Sequence, residues 1–376
     1  MLRAYKYRIY PNKAQQVKLA KTFGCVRFIW NKNVEIFNNR GEFKTSTEYR
    51  NEFEFLKEVS ASAIQQKEMD FKEFKKQRFS KNRKKKIGNP KFKKKHNRQS
   101  FRLPNQKFKL FDNKIQVEKI GKIRVRIDRI PKGKFMSATI SRDNCGDYFA
   151  SILVDEIIIH KNKTNKSVGI DVGLKQLITT SDGLQINRLR DNQVKLKHIQ
   201  KLLSRKKKNS NRFKKLKRRL AKIYRKETRR RNWLLHNIST YLTNNYDTII
   251  TEDLNISGMM KNHKLAGSIA DASWCELIKQ IDYKCNFYGK ELIKVDRWFP
   301  SSKTCSRCGH IKNDLKLQDR IFRCDNCGIE IDRDLNASNN IKAVGVTPAQ
   351  QTAMGCKTCF NKKLKQAIPD DLLSFL

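Results

Sequence analysis

The chain opens on "LRAYKYRIY", residues 2–10, where Tyr5, Tyr7 and Ile9 alternate with Lys6 and Arg8. That period of two belongs to a strand with one face buried. Pro11 and Asn12 break it, and Val17, Phe23, Val26 and Trp30 then recur at helical spacing. A second helical pattern covers roughly 62–79. Further on, the short alternating runs "KIRVRI", "SATI" and "YFASILV" are separated by Gly, Pro and Asn, which predicts a small β domain. The first 160 residues thus read as a strand, a helical insertion and more strands.

The polar stretch "HKNKTNKS", residues 160–167, marks a domain boundary. Beyond it, "SVGIDVG" and "LKQLITTSDG" predict two strands around a Gly turn, and residues 195–245 predict long helices. "YDTIITEDL" reads as a buried strand that ends in acids, "SWCELIKQIDYKCNFYG" as an amphipathic helix and "ELIKVDRWF" as another strand. A cysteine-rich insert follows, and "LNASNNIKAVG" closes the pattern as a helix. The expected class is α+β multidomain. Residues 1–10 and 100–160 form the β domain, 11–99 the helical insertion, and 161–346 an α/β domain that carries the basic helices 195–245 and a cysteine insert at 304–328. The tail 347–376 carries little pattern and is expected to be mobile. No internal repeat is present.

Charge narrows the partners. Across 376 residues, 83 lysines and arginines face 36 acids, a formal charge of +47. Such an excess strains a compact fold unless a polyanion neutralises it, and nucleic acid or an anionic membrane are the two candidates. The longest apolar runs, such as "FASILV", fall far short of the roughly 20 residues a spanning helix needs. The N-terminus has no apolar signal core, so the chain is expected in the cytoplasm, associated with the nucleoid and not with membrane. In that compartment its 10 cysteines read as metal ligands or buried thiols rather than disulfides.

Cys305-x2-Cys308 and Cys324-x2-Cys327, 15 residues apart, have zinc-ribbon spacing, and Gly309 and Gly328 permit the tight turns. Four thiolates fill a tetrahedral Zn²⁺ and leave no open position, so this site is structural. The pair Cys356 and Cys359 lacks a second half nearby and is expected to bind nothing specific.

Three acids stand at strand or helix ends: Asp171 in "VGIDVG", Glu252 in "IITEDL" and Asp334 before the closing helix. Singly, each reads as a solvated turn residue or cap. Jointly they can converge on one or two hard cations, Mg²⁺ or Mn²⁺, that activate water at a phosphodiester.

"VGIDVGLKQLITTSDG", "IITEDLNISGM" and "CSRCG…FRCDNCGIEIDRDLNASNNI" together resemble the three blocks of a RuvC-type nuclease domain in the TnpB proteins of bacterial insertion sequences. "YKYRIYPNKAQ" and "GNPKFKKK…SF" are also similar to that family. The resemblance implies an RNA-guided DNA endonuclease, related to compact type V CRISPR effectors, with a guide RNA and double-stranded DNA as partners. It implies a β-barrel-like wedge domain with a helical recognition insertion, then an RNase H-like (RuvC) α/β domain interrupted by a zinc ribbon. One chain is expected to work as a monomer with one RNA. By motif, Asp171, Glu252 and Asp334 take the catalytic, Mg²⁺-binding positions. Asp332 competes with Asp334, which is favoured as the acid two residues before Asn336.

No acid occurs from Phe74 to Phe111, and 201–231 holds 17 basic residues against Glu227 alone. Leu216, Leu220 and Ile223 give the second stretch one thin apolar stripe. Such surfaces suit a nucleic-acid channel in which the protein holds phosphates and base pairing reads sequence. The candidate phosphate contacts are Lys84, Lys85, Lys93, Lys94, Arg205, Lys214, Lys215, Arg218, Arg219, Arg229 and Arg230. Phe79, Phe92, Phe101 and Phe108 could stack bases or anchor a core. Gln65 and Gln66 fall where the family reads a short DNA motif and could bond an adenine edge. Two alternatives stay open on sequence alone: a nuclease-silent RNA-guided repressor, and a transposase that itself performs strand transfer.

Overall fold

The computed structural model describes residues 1–80, 87–157, 160–189, 193–316 and 318–346. It forms two compact units. One comprises Met1–Ile157 with Lys197–Ile223, the other the described parts of Ile158–Leu196 and Tyr224–Leu376. Residues 197–223, grouped with the C-terminal domain on sequence, cluster with the first unit. There the Arg218 guanidinium lies 3.0 Å from where a Cβ on Gly146 would stand.

In the first unit β1 (Leu2–Tyr10) leads into α1 (Lys13–Asn38), α2 (Ser46–Glu52) and α3 (Ala61–Phe79). Six strands follow: β2 (Gln99–Pro104), β3 (Phe108–Leu110), β4 (Lys114–Val117), β5 (Gly121–Arg126), β6 (Lys134–Arg142) and β7 (Tyr148–Asp155). They form one antiparallel sheet in the order β2-β6-β7-β1-β5-β4-β3. Its two end strands follow each other in sequence through the short turn Asn105–Lys107, so the sheet curls until its ends nearly meet.

Tyr5, Tyr7 and Ile9 are buried, as their alternation demands, and pack with Phe101, Phe108, Leu19, Phe23 and Val26 in one core. Asn12 starts α1 with a capping box, accepting from Gln15 N at 2.8 Å while the Gln15 side chain accepts from Asn12 N at 3.0 Å. Val17, expected on the buried stripe, is exposed. At 100° per residue it lies about 200° from Leu19 and so falls on the opposite face.

In the second unit β8 (Ser167–Asp171), β9 (Gln176–Thr180) and β10 (Gln185–Asn187) form an antiparallel meander. The helices α4 (Gln193–Ser204) and α5 (Asn211–Asn245) come next in the chain, residues 197–223 of them belonging to the first unit and α5 from Tyr224 onward to the second. Leu216, Leu220 and Ile223 are half-buried, whereas Leu234, Leu235, Ile238 and Leu242 enter the core of this unit.

β11 (Thr248–Glu252) then adds parallel to β8, and after α6 (Ile256–Met259), α7 (His263–Ala272) and α8 (Trp274–Tyr288) the strand β12 (Glu291–Val295) adds parallel to β11. The sheet order is β10-β9-β8-β11-β12. A separate hairpin, β13 (Ile321–Arg323) with β14 (Glu330–Asp332), precedes α9 (Arg333–Gly345). Among the described residues no helix is long and apolar enough to cross a membrane.

Candidate active site and cysteine cluster

Asp171 and Glu252 end two neighbouring parallel strands. Thr251 is in register with Ile170, so the next step along each strand sets Glu252 level with Asp171 on the same edge of the sheet. Neighbouring strands lie about 4.8 Å apart, and residues level with each other in a parallel pair point to the same face. Carboxyl ends of parallel strands are where open α/β sheets bind ligands.

The third acid arrives by helix. α9 crosses β8 so closely that a Cβ on Gly169 would stand 2.1 Å from Ser338 O and 2.6 Å from Lys342 N. A Cβ on Gly345 would likewise stand 2.3 Å from Ile250 of β11. Only hydrogen at these two positions allows the approach. Asp334 lies one turn before Ser338, about 6 Å along the helix, and Asp171 lies two residues beyond Gly169, about 6.6 Å along the strand. The crossing therefore delivers Asp334 to the sheet edge that holds Asp171.

All three acids are half-buried. The Asp171 carboxyl is pushed up to about 7, first by burial, then by the negative charges of Glu252 and Asp334. Arg333 acts in the opposite direction, and its Nη2 donates to Asp334 Oδ1 at 3.3 Å. Ser301 Oγ donates to Glu252 Oε1 in a short hydrogen bond. Among the described residues, the four cysteines are the one group of three or more His, Cys, Asp or Glu whose ligand atoms all lie within 4.8 Å.

Asp332 has a different job. It is exposed and caps α9, its Oδ1 accepting from Asp334 N at 2.9 Å and Leu335 N at 3.1 Å. A carboxylate held this way satisfies two helix-end N–H groups.

Cys305 Sγ lies 3.6 Å from Cys327 Sγ, and Cys308 Sγ 3.6 Å from Cys324 Sγ. Tetrahedral zinc with Zn–S bonds of about 2.3 Å sets S···S edges of about 3.8 Å, which these pairs nearly match. Gly309 and Gly328, at φ +76 and +67, close the two knuckles. Backbone N–H donation, led by His310, lowers the Cys308 thiol to about 6, whereas burial raises Cys305 to about 12. Lys312 of one knuckle binds Asp325 of the other at 2.6 Å.

Two asparagines that sequence reading passed over tie this insert to α9. Asn336 Oδ1 accepts from Ser306 N at 2.9 Å, and its Nδ2 donates to Thr304 O at 2.7 Å. One turn on, Asn340 Nδ2 donates to Ser301 O at 2.8 Å and Thr304 O at 2.6 Å. Both asparagines are buried. Their i, i+4 spacing in "DLNASNN" was the available signal, since two amides on a buried helix face need polar partners. Ser301 and Gly169 were also missed, because each acts only through a chain segment distant in sequence.

The basic candidates divide. Lys94, Arg205, Lys214, Lys215, Arg218, Arg219, Arg229 and Arg230 are exposed. Arg230 pairs with Glu227 at 3.0 Å, and Lys93 Nζ sits 3.8 Å from the centroid of the Trp30 ring. Lys84, Lys85, Cys356, Cys359 and the tail 347–376 lie outside the described residues. Phe101 and Phe108 are core anchors rather than stacking platforms, while Phe79 and Phe92 are exposed. Gln65 is exposed on α3, and Gln66 Nε2 lies 3.6 Å from Met69 Sδ.

Three sequence families match the chain: "Cas12f1-like, TNB domain" over 274–341, "Probable transposase" over 150–263 and "Helix-turn-helix domain" over 1–40. Residues 1–40 form β1 and α1 rather than two helices. A "Putative RNA-guided DNA endonuclease" of Streptomyces pristinaespiralis is 36% identical over 368 residues, covering 92% of this chain and 89% of the relative. A protein of Escherichia coli (strain K12) with the same description is 29% identical, with 92% of each chain covered. Among solved structures, the protein in "Cryo-EM structure of the Cas12f1-sgRNA-target DNA complex" superposes with a TM-score of 0.53 at 16% identity, covering 89% of this chain and 83% of that one.

Proposed function

Because this chain belongs to the TnpB family, whose curated relatives are described as RNA-guided DNA endonucleases, we propose that it cleaves double-stranded DNA under the direction of a guide RNA transcribed from its own element. The cut lies beside a short adjacent motif. In this reading the second unit is the RuvC-like nuclease domain, and the first unit holds the wedge and the recognition insertion. The observation that carries the proposal is the meeting of Asp171, Glu252 and Asp334 at one sheet edge, felt as mutual charge at Asp171.

A site that forces like charges together at the cost of raising one acid to about 7 suits a cation that cancels them. Asp171, Glu252 and Asp334 offer the hard oxygen donors that Mg²⁺ or Mn²⁺ prefers. Such an ion, when bound, supplies activated water and neutralises charge on the phosphodiester. The chain's own part is orientation: Ser301 holds one oxygen of Glu252, and Arg333 steadies Asp334. Asp332, occupied as a helix cap, stands outside this set. The four cysteines hold structural Zn²⁺, supported by sulfur spacing that matches its tetrahedron. Exposed lysines and arginines on α5 neutralise phosphate while base pairing supplies sequence.

The test uses the protein purified with its RNA. Asp171→Ala, Glu252→Ala and Asp334→Ala should each slow Mg²⁺-dependent cleavage of an RNA-matched plasmid by on the order of 10³-fold. Target affinity, measured by gel shift in Ca²⁺, should stay within about threefold, because affinity comes from basic side chains and pairing. Asp332→Ala should keep most cleavage. Full activity in all three acid variants would overturn the nuclease reading, and a dead Asp332→Ala beside an active Asp334→Ala would overturn the third assignment.

A further inference from the structure

Trp298 is 85% exposed, the most exposed of the described aromatic side chains. Its backbone, by contrast, is pinned. Trp298 N donates to Asp296 Oδ1 at 2.7 Å, Phe299 N to Asp296 O at 3.2 Å and Ser301 N to Phe299 O at 2.8 Å. Arg297 binds Asp253 at 2.6 Å, directly beside Glu252. Phe299 packs against Ile250, Val295, Ile341 and Val346. Ser301 is buried, with its hydroxyl on Glu252 and its carbonyl held by Asn340. A rigid strap thus holds one large aromatic ring out in water.

The strap leaves the sheet at the acids. Val295, the last residue of β12, is in register with Glu252, and Trp298 follows three residues later. Three residues also separate Trp298 from Ser301, at most about 10 Å between their Cα atoms. At a stacked rise of roughly 3.4 Å per nucleotide, the ring lies within a few nucleotides of a phosphate held by the acids.

We propose that Trp298 is a stacking platform for one unpaired base of the DNA strand being cut, next to the scissile phosphate. This deepens the nuclease reading and rests on it. With its backbone pinned, the indole has only two χ angles to fix on stacking, and every base offers it a π face. That face is covered inside a duplex by the neighbouring pairs, so the platform admits only an unwound strand. Proximity to the carboxylates selects the substrate strand over the guide.

The experiment uses the full chain with its co-purified RNA and a matched DNA target. Trp298→Ala should slow cleavage about 10–100-fold, the loss expected for one stacked base. Trp298→Phe should stay within about threefold of wild type, whereas Trp298→Leu, apolar but not aromatic, should behave like the alanine variant. An abasic nucleotide scanned across the mapped cut should slow the wild type by the same factor at one or two positions and leave Trp298→Ala unaffected. Zinc content, unfolding temperature and target affinity should be unchanged in every variant. Wild-type rates in Trp298→Ala, abasic and alanine losses that multiply, or a fall in zinc or unfolding temperature would overturn the inference. A wild type that cuts but ignores abasic nucleotides overturns the inference alone, and a wild type that cuts no matched DNA overturns the nuclease reading with it.

Discussion

Asp171 carries the electrostatic cost of the site. Its carboxyl moves from the ordinary 3.8 to about 7 on folding, so the folded chain binds a proton more tightly than the unfolded one. Below about pH 4 both states are protonated and nothing is lost. Between about 4 and 7 the unfolded carboxyl ionises first, and stability falls as pH rises. Above about 7 the full penalty applies, on the order of 1–4 kcal/mol in the absence of a divalent cation. Asp171→Asn removes the charge and keeps the shape. In buffer without added Mg²⁺ or Mn²⁺, it should unfold at a higher temperature than wild type at pH 8 and at nearly the same temperature at pH 4. Thermal unfolding read at both pH values checks this, and a pH-independent gap would contradict it. Adding Mg²⁺ at pH 8 should raise the wild type more than the Asn variant, which keeps only Glu252 and Asp334 as charged donors.

At the scale of elements, α9 joins the sheet edge that carries the acids to the cysteine insert. Its N-terminus presents Asp334, its middle lies on Gly169, and Asn336 with Asn340 grips the turn entering the first knuckle. Gly169→Ala would press a methyl into the Ser338 carbonyl and the Lys342 amide, both backbone, so the helix itself must move. Overpacking of this kind costs about 1–3 kcal/mol. The variant should unfold at a lower temperature and lose cleavage while its zinc content stays at wild type, which separates helix displacement from loss of the cluster. Cys308→Ser works from the other end. Three thiolates hold zinc far less tightly than four, so metal analysis should find the zinc depleted and the C-terminal part of the unit more readily proteolysed. Because Ser301 follows the same strap, this variant should also lose cleavage despite intact acids. Full zinc occupancy and activity in Cys308→Ser would contradict a structural site.

At the scale of the whole molecule, a charge of +47 makes nucleic-acid binding an ion-exchange reaction. α5, 35 residues and about 52 Å long, displays exposed Lys214, Lys215, Arg218, Arg219, Arg229 and Arg230 along its length. Each phosphate neutralised releases counterions, so log affinity for non-specific DNA should fall steeply with log salt, by close to one unit of slope per contact. Replacing Lys214, Lys215, Arg218 and Arg219 together by Gln should reduce that slope by roughly 3–4. Fluorescence anisotropy between 50 and 300 mM salt measures it. An unchanged slope would remove this stretch of α5 from the binding surface.

The elements were legible in the sequence because each obeys a local period. Alternation at Tyr5, Tyr7 and Ile9, the apolar strands that end in Asp171 and Glu252, and the paired CxxC spacing can all be read without knowing what packs where. Local spacing likewise named the three acids as candidates. It left Asp332 as a rival two residues from Asp334, and only the motif match favoured Asp334, because a cap and a ligand differ only in what faces them. Nor could it detect Gly169 and Ser301, whose roles consist of contacts across tens of residues of chain, and the i, i+4 spacing of Asn336 and Asn340 did not say which segment their amides hold. Periodicity reports which face of an element is buried. Which element covers that face, and which charge then meets which, is decided only when the strands are set side by side and a helix is laid across them.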